Sequence, residues 1–307
     1  MTSSIHDDVG LLSALREREG LRELTGYTAI YRIQPERGRR VQNISAVCVD
    51  RHLGDDADKA VVFRHGTGAA PDEQVSCRDL HERVCRLANA LRDQGVERGD
   101  RVAIHLPLMV ESIVAVLACT RIGAVYVVLA GRLDARELAA RLVDCGAVAV
   151  LTGDGTRHDV GHVPPKVTLD KALDMAGPRS RVRLVLVVTT SGAEVPMKAG
   201  RDHRYDAVVD WYEPDCPPEA MYEDDPLFVL YPMDRQGEAG AVTCTVGKYR
   251  RLTSCATEML YPQAVIDVSA GLITQAWNGG RTSQLLGLLA RGGTLAIAED
   301  GPANGLA

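Results

Sequence analysis

The chain is 307 residues long, carries a formal net charge of −6, and is 46% apolar. That apolar share supports a substantial core in one large domain or two smaller ones. The negative balance, with arginines scattered among acids, leaves no basic stripe for a nucleic-acid backbone, and no apolar run approaches the ~20 residues that span a bilayer.

The first residues, Met1-Thr-Ser-Ser-Ile-His-Asp-Asp, show neither a basic region nor an apolar run. A cytoplasmic chain with no nucleic-acid or membrane partner is expected. Residues 10–24 are charged and helix-prone and lead to Glu36-Arg-Gly-Arg-Arg40, read as a solvated basic turn. Leu80, Val84, Leu87, Ala88 and Leu91 fall on one helical face, with Ser76 and Asp79 spaced as a start signal and Gly95 as a stop. A buried strand over 101–107, ended by proline, feeds a helix over 110–121 that stops at Gly123. A strand over 124–129, a helix over 134–145 and a strand over 147–151 follow. The segment 152–180 contains Gly, Pro and His and is read as looser. Strands return at 182–188 and 227–231, with Pro214-Asp-Cys-Pro-Pro218 as a rigid turn between them. A last unit runs from a strand at 265–268, through a helix around 284–289, to a strand at 293–298.

Short apolar strands alternating with amphipathic helices predict an α/β fold of layered, largely parallel sheets flanked by helices. The expected organisation is an N-terminal helical or extended segment over 1–42, an α/β domain over 43–301 with a subdomain break near 190–225, and a tail over 302–307. The eight cysteines, Cys48, Cys77, Cys85, Cys119, Cys145, Cys216, Cys244 and Cys255, form no C-x-x-C pair and no metal-cluster spacing. No metal is expected. Cys85 and Cys119 lie on apolar helical faces, where a thiol behaves as a small hydrophobe.

Cys48-Val-Asp-Arg-His-Leu53, Gly99-Asp-Arg-Val-Ala-Ile104, Leu117-Ala-Cys-Thr-Arg-Ile-Gly-Ala-Val125 and Asp225-Pro-Leu-Phe-Val-Leu-Tyr231 resemble, in order, segments of acetyl-CoA synthetase, of the adenylate-forming acyl-CoA synthetase superfamily. The similarity runs from about Asn43 to about Gly301 and matches the N-terminal half of such an enzyme. The resemblance implies the N-terminal subdomains of acyl-CoA synthetases, with no counterpart here to the mobile C-terminal domain.

The family's phosphate-binding pattern is Tyr-Thr-Ser-Gly-Ser-Thr-Gly-Lys-Pro-Lys-Gly, whose small residues let amides and hydroxyls wrap a triphosphate. Here only Tyr231 and Gly237 of it remain; Pro232, Met233, Asp234, Arg235 and Gln236 replace the Thr-Ser-Gly-Ser-Thr run, and Glu238 and Gly240 replace the two lysines. Losing one preorganised donor costs about 2.7–4 kcal/mol, so the degenerate loop predicts a pseudoenzyme that has lost ATP-dependent adenylation, with ATP and Mg not expected as cofactors.

Where the family has Gly-Trp-Val-Thr-Gly-His, this chain reads Ala276-Trp-Asn-Gly-Gly-Arg281, making Trp277 and Asn278, with Asp234 and Arg235, the candidate substrate-binding residues. Arg281 brings a fixed planar cation suited to a carboxylate or phosphate. Gly131 and Arg157 fall where the family has its close-approach glycine and its arginine for the coenzyme A 3′-phosphate, a vestigial site for CoA or an acyl-CoA thioester. His105 and Tyr126 stand where the family carries Tyr and His. That exchange either keeps a buried hydrogen-bonded pair with its members swapped or sets a neutral imidazole and a phenol for acid–base work. His105, Tyr126 and Arg281 are the candidate catalytic residues.

The expected function is binding of a small carboxylate or acyl-derived metabolite, with cyclisation, elimination or isomerisation as the chemistry that needs only positioning and acid–base help. The alternative is a non-catalytic partner, as a homo-oligomer or on another biosynthetic protein, docking through apolar area near Trp277 and 285–289. The third is one half of a split ligase.

Overall fold

The computed structural model describes residues 38–65, 73–129, 133–155, 163–231, 240–251, 265–266 and 281–298. β1 (Arg40–Val41) and a short helix (Ile44–Cys48) precede β2 (Ala60–His65) and β3 (Glu73–Ser76). The Cys77–Asp93 helix leads to β4 (Arg101–His105), the Val110–Ile122 helix to β5 (Val125–Val128), the Ala135–Cys145 helix to β6 (Ala149–Gly153), and the Pro165–Ala176 helix to β7 (Leu184–Val188). Then come β8 (Asp202–Arg204), the Tyr205–Val209 helix, β9 (Met221–Tyr222), β10 (Pro226–Leu230), β11 (Val242–Thr245), β12 (Val265–Ile266), the Arg281–Ala290 helix and β13 (Thr294–Ala298).

Seven strands form one sheet in the order β11-β10-β5-β4-β6-β7-β8, parallel except for the β10–β11 pair. Four form a second sheet, β12-β13-β2-β3, in which only β2–β3 is antiparallel. This is the expected α/β architecture. Strands on both sides of 190–225, and β8 within it, share the seven-stranded sheet.

The local signals act as their chemistry dictates. Ser76 and Asp79 form a capping box that starts the Cys77–Asp93 helix, whose Leu80, Val84, Leu87, Ala88 and Leu91 are buried. Gly123 ends the Val110–Ile122 helix at φ 72°, a left-handed conformation glycine adopts at no steric cost. That helix is buried on nearly every side, between the sheet and its neighbouring helices.

Two expectations are corrected. The segment read as loose contains the Pro165–Ala176 helix, which opens on proline at its first position and buries Leu169, Ala172, Leu173 and Ala176. Buried Lys166 ties it down, its Nζ lying 2.6 Å from Asp170 Oδ2 and 2.9 Å from Asp202 Oδ2. The leucines expected to be exposed near 285–289 are instead interior: Leu285, Leu286, Leu288 and Leu289 are buried, and Cys48 Sγ lies 3.3 Å from Leu286 O.

The seven described cysteines are free and buried. Burial raises the thiols, Cys77 and Cys85 to about 11 and Cys145 to about 12, so they stay protonated and apolar at neutral pH.

One buried ion pair joins several of these parts. Arg121, 1% exposed, forks onto Asp50 with Nη1–Oδ2 at 2.7 Å and Nη2–Oδ1 at 2.8 Å, while its Nε donates to Cys216 O. Asn43 Nδ2 donates to Thr120 O at 2.8 Å and to Glu219 O at 3.0 Å, and its Oδ1 accepts from Ser45 N at the start of the Ile44–Cys48 helix. Burial pushes the Asp50 carboxyl up, but the Arg121 fork outweighs it and holds the group below its usual range. Asp50 is only half-buried, so removing Arg121 leaves its carboxylate partly solvated, toward the lower end of the about 3–5 kcal/mol that breaking a fully buried pair costs. Arg121→Ala is therefore expected to lower the unfolding free energy by about that amount in denaturant titration, and an unchanged midpoint would refute this role.

Candidate active site

Because β4, β5, β6, β7 and β10 run parallel, their carboxyl ends share one edge of the sheet, where open α/β sheets meet their ligands. Leu129, Gly155 and Tyr231 are the last described residues before 130–132, 156–162 and 232–239, and each follows a strand that ends on this edge. Gly131, Arg157, Asp234 and Arg235 belong to those segments, and Trp277 and Asn278 to 267–280, all outside the described residues. Arg281 is the first residue of the Arg281–Ala290 helix, and its side chain is outside them too.

His105 ends β4 and is 1% exposed. Its Nδ1 lies 3.1 Å from Thr152 Oγ1, the neighbour in register on β6, and its Nε2 has no partner. Burial pulls its pKa down to about 4, so the ring is neutral at pH 7. The threonine hydroxyl can give or take the shared hydrogen, which leaves Nε2 as one open hydrogen-bonding position in either tautomer.

Tyr126 lies in the middle of β5, its ring 5.3 Å from that of Phe228 and its hydroxyl buried without a partner. Burial raises the phenol well above its ordinary range, so it is not an anion near neutrality. The structure does not bring the two residues together. Tyr126 is in register with Val102 and packs in the same core, whereas His105 is two residues from Ala103, which belongs to the core on the opposite face. The expected hydrogen-bonded pair is therefore not formed: His105 Nε2 and the Tyr126 hydroxyl are each left without a partner, on two faces of one sheet.

Sequence reasoning missed the polar knot at the ends of β6 and β7. Asp154 is fully buried and accepts from the amides of Thr190 at 2.9 Å, Ser191 at 2.8 Å and Gly192 at 3.2 Å, and from the Thr190 hydroxyl at 2.8 Å. Burial pushes this carboxyl up, but the Ser191 and Thr190 bonds prevail and hold it below its usual range. A Cβ on Gly155 would sit 2.0 Å from Ser191 Oγ, so the two turns meet closely enough to require glycine there. The available signal was a Thr-Ser-Gly turn directly after a buried strand.

Tyr231, one of two survivors of the phosphate-loop pattern, is committed elsewhere. Its hydroxyl lies 3.1 Å from Arg141 O and 2.8 Å from Asp144 Oδ2, and the Arg141 guanidinium sits 5.2 Å from its ring centre. It anchors the end of β10 to the Ala135–Cys145 helix. The amides of 190–192 are occupied by Asp154. The described residues also contain no cluster of His, Cys, Asp or Glu able to hold a metal, and no helix among them is long and apolar enough to cross a membrane.

Residues 49–305 match the AMP-binding enzyme family, whose N-terminal layers this parallel sheet and its loop-bearing edge reproduce, and the chain belongs to that family. It is similar to the acetyl-coenzyme A synthetases of Caulobacter vibrioides, 38% identical over 262 residues, and of Xylella fastidiosa, 37% identical over 261 residues. The Psychromonas ingrahamii acetyl-coenzyme A synthetase is 36% identical over 260 residues. In each case 85% of this chain is covered, and the chain spans 40% of the length of the relative. This membership corrects one expectation. A family defined by AMP binding, whose relatives are synthetases, conflicts with a chemistry that excludes ATP and magnesium.

The state of His105 is directly checkable. Its imidazole is expected to remain neutral as the pH falls from 8 to 5 in a ring-nitrogen NMR titration, and protonation near 6.5 would contradict its burial. In the unfolded chain the ring takes a proton from about 6.5 downward, so the sign is a loss of stability on acidification between about 6.5 and 4.

Proposed function

We propose that the carboxyl edge of the seven-stranded sheet binds a small carboxylate or an acyl-derived metabolite, and that adenylation of such an acid is impaired in this chain. Supporting the reading is an intact strand frame around a rewritten connection. β10 and β11 pair in continuous antiparallel register from Phe228↔Cys244 to Leu230↔Val242, while the residues joining them include Pro232, Met233, Asp234, Arg235, Gln236 and Glu238 in place of a hydroxyl- and glycine-rich run ending in lysines. Carboxylates beside a phosphate repel it, and each lost donor weakens stabilisation of developing charge by about 2.7–4 kcal/mol. In this reading Arg281 and Arg235 supply fixed cations for the carboxylate, Trp277 and Asn278 bound the acyl group, and Gly131 and Arg157 retain a trace of the coenzyme A path. His105 contributes its open Nε2 as a neutral donor or acceptor, suited to positioning or acid–base help.

Titration calorimetry with acetate, propionate and acetyl-CoA, each with ATP and Mg²⁺ present, tests the binding claim. At least one is expected to bind, and to raise the unfolding free energy by about 2.7 kcal/mol when present at a hundred times its Kd. Arg281→Ala is expected to weaken that ligand about tenfold or more; no heat from any of the panel would overturn the reading.

A further inference from the structure

On the opposite side of the Cys77–Asp93 helix from its buried stripe, polar side chains clamp the segment 210–216. Arg86 Nη1 donates to Asp210 O at 3.1 Å and to Tyr212 O at 2.5 Å, and Asn89 Nδ2 donates to Glu213 O at 3.0 Å and to Asp215 O at 2.9 Å. Tyr212 Oη donates to Asp93 Oδ2 at 2.7 Å, and Cys216 O takes the Arg121 Nε already described. Residues 86, 89 and 93 are one helical face. The turn is therefore held through five of its seven carbonyls, an arrangement that restrains a loop to one conformation.

The clamped turn presents Trp211 to solvent at 86% exposure, the most exposed large apolar side chain among the described residues. Holding an indole out of a core forgoes about 1.5–3 kcal/mol of burial, and doing so on a preorganised support is the arrangement of a binding anchor, because little entropy remains to be lost on docking. Exposed Asp206, Asp210, Glu213 and Asp215 surround it in sequence. The neighbouring guanidiniums are engaged: Arg86 with the two carbonyls, Arg83 with Glu73, and Arg92 with Glu219. Arg86 keeps its charge on those neutral carbonyls, but the four exposed carboxylates outnumber it, so the chain on either side of the indole is net acidic. Charge complementarity selects a cationic partner, and the flat indole favours guanidinium, which stacks on aromatic faces, over ammonium. A second copy of the chain, at net −6, is the poorer complement.

We propose that the Trp211 turn is a docking surface for an arginine-bearing basic segment of a partner protein, whose guanidinium stacks on the indole while Asp210 and Glu213 flank it. The surface is separate from the carboxyl edge of the sheet and stands whether or not that edge binds a carboxylate.

The test uses the full chain with octa-arginine, octa-lysine and octa-glutamate as probes, followed by calorimetry and by tryptophan emission. Octa-arginine is expected to bind several-fold more tightly than octa-lysine and to quench emission, with octa-glutamate silent. Trp211→Leu is expected to reduce octa-arginine affinity about fivefold or more and to remove its preference over octa-lysine. Asp210→Asn with Glu213→Gln is expected to weaken both cationic peptides. Trp211 is exposed, so Trp211→Leu should unfold at the parent temperature. Equal binding by Trp211→Leu, no preference for arginine, or a dimer in light scattering that disappears in Trp211→Leu would each overturn the proposal.

Discussion

The guanidinium of Arg121 is the point on which the scaffold depends. It leaves the Val110–Ile122 helix, which packs against the large sheet, and reaches Asp50 beyond the Ile44–Cys48 helix and Cys216 in the segment before β9. A fully buried cation is tolerable only when its donors are satisfied by charge and carbonyl oxygen together. The fork therefore fixes where three distant stretches of chain meet. Asn43 repeats the device with neutral groups, binding the carbonyls at the end of the same helix and that of Glu219. Since the Arg281–Ala290 helix packs on the Ile44–Cys48 helix, the same junction carries forward to the second sheet through β13.

The edge that carries the candidate site follows from parallel pairing. With five parallel strands ending together, every loop that follows them is delivered to one side, whatever its residues. That separates the demands on the sequence. The strands answer to packing, while the loops are free to change chemistry without disturbing the frame. The residues at the strand ends show both outcomes: Asp154 and Tyr231 are consumed in holding turns and helices in place, whereas His105 keeps an open nitrogen.

Much of this was legible in the sequence, for identifiable reasons. The Leu80–Leu91 stripe, the Ser76 and Asp79 start signal and the stop at Gly123 are local signals, and each is found where its spacing places it. The Pro165–Ala176 helix was hidden because glycine, proline and histidine in the flanking segment outweighed its own apolar spacing, although a proline at the first helical position is itself a start signal. The relation of His105 to Tyr126 was not legible, because it depends on strand order and on the alternation of faces across two strands. The burial of Leu285–Leu289 depends on the distant Ile44–Cys48 helix, a contact no local pattern announces. The ion pair of Asp50 was not legible, because its partner Arg121 lies in another matched segment that only the fold brings to it. Of the candidate site residues, His105 and Tyr126 lie on strands that the structure places, whereas Gly131, Arg157, Asp234, Arg235, Trp277 and Asn278 lie outside the described residues.

The central proposal is that an adenylate-forming scaffold persists around a connection whose rewritten residues impair adenylation. A single-turnover experiment tests it most directly: excess protein is mixed with labelled ATP, Mg²⁺ and acetate or propionate, quenched over time, and assayed for acyl-adenylate and pyrophosphate. The account predicts acyl-adenylate well below one equivalent of protein. Stoichiometric acyl-adenylate, formed with matching pyrophosphate, would contradict it.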